Sequence, residues 1–186
     1  MSQQYQMNQK HISYPKIILA VIVALYFLNY ATRPHDWRFF DNIDLLNNVD
    51  LLIHEAGHVI FIFFGQFLHF LGGSLFQVLF PFVFVLYFYF REEYFSSSIL
   101  LFWVGQNLIN VSVYAGDAIV MQLPLLGGDG GIHDWNWLLS TTGLLKYTSE
   151  ISSLFFVSGL VLGTTALVFS LMYSYREKTE AGHFWI

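Results

Sequence analysis

The chain has 186 residues, 55% of them hydrophobic and 11% charged, with a formal net charge of -5 and no cysteine. Soluble domains carry about 25% charged residues, so water is not the main solvent of this chain. The lack of a basic cluster excludes nucleic acid as the partner, and the lack of cysteine excludes disulfides and thiolate metal sites, leaving His, Asp and Glu as metal-seeking side chains.

A polar stretch, MSQQYQMNQKHISYP, leads into the apolar run 16–30, which no small-residue cleavage site follows. The run reads as an uncleaved first span. The connection ATRPHDWRFFDNIDLLNN precedes a second run, 49–71, which the pair Gly72-Gly73 separates from a third, 74–90, with Pro81 as an expected kink. After the charged turn REEY come a fourth run, 96–121, and a last one, 151–173, which ends at Arg176 and Lys178. Residues 122–150 mix glycine, a His-Asp-Trp triplet and apolar residues. That segment is too apolar for a solvated loop and too broken for a span, so it is expected to be re-entrant or buried at membrane depth, covered by protein.

These features predict a single membrane-embedded domain over residues 1–186, an all-α polytopic membrane protein with about five transmembrane helices. Five crossings with the positive-inside rule place the N-terminus outside and the C-terminus in the cytoplasm.

The chemistry concentrates in the second run. His54, Glu55 and His58 form His-Glu-Ala-Gly-His, an H-E-x-x-H pattern. Residues four apart share one helix face, so His54 and His58 can bind one Zn²⁺ while Glu55 takes a proton from water activated by the metal. Ionisable side chains are costly in hydrocarbon, which makes an accidental cluster of three there a weak explanation. Gly57 leaves the face beside His58 uncrowded for close approach of a peptide or a helix.

A catalytic zinc usually has three protein ligands and one open position. His133 is the first candidate for the third ligand. Asp134 beside it and Asp117, a lone carboxylate in the fourth run, are the alternatives. Gln77, Gln106, Asn107 and Asn110 are read chiefly as interhelical hydrogen-bonding residues. His11, His35, His69 and His183 have no metal-ligand spacing to one another and are read as interface or solvated histidines.

A His-Glu-x-x-His helix in a membrane, followed by the glycine-interrupted run GQFLHFLGGSLFQ, resembles the site-2 protease class of intramembrane zinc metallopeptidases. The resemblance covers the second to fourth runs. It implies a third ligand aspartate on a later helix, within a pattern of Asn, Pro and Leu-Asp-Gly. Here Asn107, Asn110 and Asp117 occupy the corresponding helix, with no proline between them and with Gly116 before the aspartate. The HDW segment is similar to a feature of a compact, divergent bacterial branch of such peptidases.

The expected function is hydrolysis of peptide bonds in membrane-associated polypeptides, in a multi-pass protein of the bacterial inner membrane, with Zn²⁺ as cofactor and Glu55 as base. A non-catalytic zinc-binding or zinc-carrying membrane protein is the alternative, and it predicts a closed fourth position with both His133 and Asp134 on the metal. A scaffold whose polar residues only knit helices together is the third reading, and it would bind no metal.

Overall fold

The structure, a computed structural model, describes residues 10–32, 45–125 and 131–177. Arg33, His35, Arg38, Lys178 and His183 lie outside the described residues. The described chain is almost entirely helical. In order it forms β1 (Lys10–Ile12), α1 (Tyr14–Ala31), α2 (Leu45–Phe61), α3 (Gln66–Phe90), α4 (Tyr94–Gly116), α5 (Asp134–Thr141), α6 (Thr148–Met172) and β2 (Tyr175–Glu177). Short 3-10 turns at Ile62–Phe64 and Leu145–Tyr147 lead into α3 and α6.

Among the described residues four helices are long and apolar enough to cross a membrane, namely α1, α3, α4 and α6 with the turn before it. Pro15 falls in the first turn of α1, where its missing N–H costs nothing. Pro81 lies inside α3, which continues through it. The expected second span, 49–71, is divided differently. α2 gives way to the 3-10 turn, and the chain reverses at Gly65, whose φ of 91° an L side chain rarely adopts. Gly72 and Gly73 are buried inside α3 and break nothing. They are small because α2 packs on them: a Cβ on Gly72 would lie 2.9 Å from the Gly57 carbonyl oxygen, and one on Gly57 would run into the Gly72 backbone. The segment expected to be irregular contains α5. Its Trp135, Leu138 and Leu139 are buried in one cluster with Phe70 of α3 and Val111 and Ala115 of α4.

α3, α4 and α6 alternate in direction, each antiparallel to the one before it. Ser97 Oγ donates to the Val85 carbonyl while Gln77 meets Asn110 farther along the α3–α4 pair. Ser152 Oγ donates to the Ser112 carbonyl while Gly105 and Gly159 touch in the α4–α6 pair. α1 closes the bundle, with Phe27, Tyr30 and Ala31 in a core shared with Phe102, Ile109 and Ala166.

The strand before α1 pairs antiparallel with the strand after α6, and Ser13 N–H donates to the Ser174 carbonyl at 2.9 Å. The Tyr94 ring, at the start of α4, stacks on Tyr173 at 5.0 Å between centroids, and Lys16 Nζ lies 5.0 Å over Phe95. The start of α1, the end of α3, the start of α4 and the end of α6 therefore share one end of the bundle. The opposite placement expected for the two chain ends does not hold, because α2 turns back into α3 near the other end.

Candidate metal centre

α2 carries His54 and His58 on one face, one helical turn apart, towards α3 and α5. Their Nε2 atoms lie 3.0 Å and 3.2 Å from the same oxygen, Asp134 Oδ2. One ligand atom from each of the three residues lies within 4.8 Å of the others. His54 and Asp134 are buried and His58 is partly so.

The other ring nitrogens are already engaged. His58 Nδ1–H donates to the His69 carbonyl at 2.8 Å, and a carbonyl can only accept, so Nε2 carries the lone pair. His54 Nδ1 lies 3.1 Å from Gln77 Oε1, and Gln77 Nε2 donates to Asn110 Oδ1 at 2.8 Å. Asn110 Nδ2 in turn donates to Asn47 Oδ1 at 2.7 Å. In that arrangement Gln77 Oε1 accepts, and a neutral His54 holds its proton on Nδ1 and turns a lone pair inwards. With both rings neutral, two imidazole lone pairs and a carboxylate oxygen converge there. Such a set could hold a metal ion. A histidine that gives its second nitrogen to a carbonyl or carboxamide is the arrangement in which outlying groups orient metal-binding imidazoles.

The sequence around the centre serves this geometry. A Cβ built on Gly73 would lie 2.5 Å from His54 Nε2 and 2.6 Å from His58 Nε2, so only glycine leaves room for the rings. Ser74 Oγ, the next residue, accepts from Trp135 Nε1 at 3.0 Å and pins α5 to α3.

His133, the first candidate for third ligand, points elsewhere. Its Nδ1 accepts from the Asn136 N–H at 3.2 Å as the N-cap of α5, and its Nε2 donates to Asp117 Oδ2 at 3.2 Å. Burial pushes its imidazole down, which suits a neutral ring with one proton to give. Asp117 accepts in addition from the Gln122 and Leu123 N–H groups, each at 2.9 Å, and so ties down the chain leaving α4. Asp134 is brought to His54 and His58, whereas His133 and Asp117 are brought to each other.

Glu55 is half-buried and makes no hydrogen bond or ion pair among the described residues. It shares with His54, His58 and Asp134 the wall of a cavity of about 470 Å³, completed by Leu51, Tyr114, Leu125 and Ile132 among others. Tyr114 was not singled out by its sequence setting. Its hydroxyl accepts from the Asp134 N–H at 3.2 Å, and its ring lies 5.7 Å from that of His54. His69, read from the sequence as an interface or solvated histidine, is the brace of His58.

Comparison with known proteins gives no match to a family model, to a characterised protein or to a solved structure.

Proposed function

We propose that this protein is a membrane-embedded zinc metallopeptidase of site-2 protease type, acting on membrane-associated polypeptides. The observation that carries the reading is the convergence of His54 Nε2, His58 Nε2 and Asp134 Oδ2, with both imidazole Nδ1–H groups committed to acceptors behind them. Two nitrogens and one carboxylate oxygen suit a borderline cation, and three ligands leave one position for chemistry. Zinc held there would polarise a peptide carbonyl and make a water molecule acidic enough to lose a proton near neutral pH.

The chain's own residues supply the rest. Glu55, next to a ligand and on the wall of the same cavity, accepts the proton of the attacking water and passes it to the leaving amine. The cavity takes a peptide only in unwound form, because a helix keeps its carbonyl groups bonded. His133 is held by Asp117 and Asn136, which leaves it unable to close the fourth position. That arrangement favours catalysis over a structural or transported zinc.

In this reading α1, α3, α4 and α6 cross a bacterial inner membrane, α2 penetrates it part of the way, and α5 is buried at one side against α3.

The test is metal content of the detergent-purified protein by elemental mass spectrometry, with a proteolysis assay in parallel. About one zinc per chain is expected in the wild type and in Glu55→Gln, His133→Ala and Asp117→Asn, with loss in His58→Ala and Asp134→Ala. Hydrolysis absent from Glu55→Gln despite full zinc supports the peptidase. Equal hydrolysis with and without Glu55 leaves the zinc-binding alternative, and a wild type that takes up no zinc on reloading removes both.

A further inference from the structure

We propose that the metal centre opens on the non-cytoplasmic side of the membrane, and that its substrates are polypeptide segments exposed on that side. The proposal rests on the peptidase reading only for what the site does; the side it faces follows from the fold.

Three observations carry it. The first is parity. β1 precedes α1, β2 follows α6, and the two strands are hydrogen-bonded to each other, so both lie on one side of any membrane that the helices cross. A hydrogen-bonded strand pair cannot straddle hydrocarbon, so the number of crossings between the strands is even. Four helices meet the length and apolarity of a span. α2 is left outside that set.

The second is charge. The end of the bundle that holds the strands and the α3–α4 turn carries Lys10, Lys16, Arg91 and Arg176, with Lys178 next in sequence after β2. Among the described residues the opposite end carries Lys146 alone, in the turn before α6. Among the described residues the strand end therefore leads by four to one. Positive residues in short connections stay in the cytoplasm, so the strand end is cytoplasmic.

The third is where the centre sits along the bundle. Gly73, which faces both imidazoles, stands about two helical turns beyond the start of α3, roughly 10 Å at 1.5 Å per residue. α3 runs from there to the strand end. His58 is braced by His69, closer still to the start of α3, and Asp134 begins the short helix between α4 and α6. Leu125 and Ile132, of the connection after α4 at the end away from the strands, line the cavity, and Ile132 is exposed. All three ligand residues and this exposed part of the cavity lining are in the half of the bundle remote from the cytoplasmic charges.

The chain has no cysteine, so single substitutions report position without background. Ile132→Cys in the cavity lining and Ser149→Cys at the start of α6 mark one end; Ile12→Cys and Glu93→Cys mark the other, and all four positions are exposed. Spheroplasts of an expressing bacterium are treated with a membrane-impermeant maleimide before and after permeabilisation. Labelling of Cys at 132 and 149 in sealed spheroplasts, with 12 and 93 labelled only after permeabilisation, is the expected result. The reverse pattern, or equal labelling of both ends in sealed spheroplasts, or protection of both, overturns the proposal. Labelling needs neither zinc nor hydrolysis, so its outcome is read separately from the fate of the peptidase reading.

Discussion

His58 and His69 hold each other through their backbones. His58 Nδ1–H donates to the His69 carbonyl at 2.8 Å, and His69 Nδ1–H donates to the His58 carbonyl at 3.0 Å. The two residues lie on either side of the Gly65 reversal, so the ring that faces the metal position is fixed by the hairpin that presents it. His69→Ala removes one half of the exchange and leaves its own carbonyl in place. Zinc affinity should fall by about tenfold, the low end of the effect of removing outlying groups. Competition against a fluorescent zinc chelator measures it, and an unchanged affinity would show that the reciprocal bond is ornamental to binding.

Gly73→Ala should be more damaging than its single added methyl suggests. The new carbon would lie 2.5 Å from His54 Nε2 and 2.6 Å from His58 Nε2, and both rings must rotate away. The expected outcome is loss of stoichiometric zinc with the helical circular dichroism retained and a stability cost of about 1–3 kcal/mol. Full zinc in this variant would contradict the placement of the imidazoles.

Gln77 joins His54 to Asn110, accepting from one and donating to the other. Gln77→Leu strands both partners in a buried setting, which costs about 1–3 kcal/mol each when the lost partner is not replaced. Gln77→Glu keeps an acceptor for His54 Nδ1–H. Zinc retention should therefore follow the order wild type, Glu, Leu; equal loss in both variants would mean that bonding to Asn110, rather than orientation of His54, is what matters.

The two aspartates should separate cleanly. Asp134→Asn replaces a charged ligand by a neutral one at the point shared by both imidazoles, and zinc binding should weaken by more than about a hundredfold. Asp117→Asn keeps an acceptor but loses the charge that holds His133 and the Gln122 and Leu123 N–H groups. It should keep near-stoichiometric zinc while limited proteolysis between α4 and α5 speeds up. Zinc loss in Asp117→Asn with retention in Asp134→Asn would exchange their roles.

The pattern His54, Glu55, His58 was legible because a helix puts residues four apart on one face whatever the tertiary structure does. The apolar runs were legible for the same local reason, and four of them are helices of spanning length. The hairpin was not. A Gly-Gly pair in an apolar run looks like a break, yet at Gly72 and Gly73 the missing side chains make room for α2, and the reversal falls on the single Gly65. Only the partner helix distinguishes the two uses of glycine. The choice between His133 and Asp134 depended on where α5 starts. His133 is its N-cap and folds back on the Asn136 N–H, which leaves Asp134, the first helical residue, to face α2. A shift of one residue in that boundary would have exchanged them.

The partners His54 and Asp134 are 80 residues apart in sequence. An ion shared by them would close that whole length of chain into a loop, and closing long loops restricts the unfolded ensemble most. In a protein with no cysteine, the metal would then act as the removable counterpart of a disulfide, fastening the α2–α3 hairpin to the segment that follows α4. Taking it out would unclasp the protein as well as silence it.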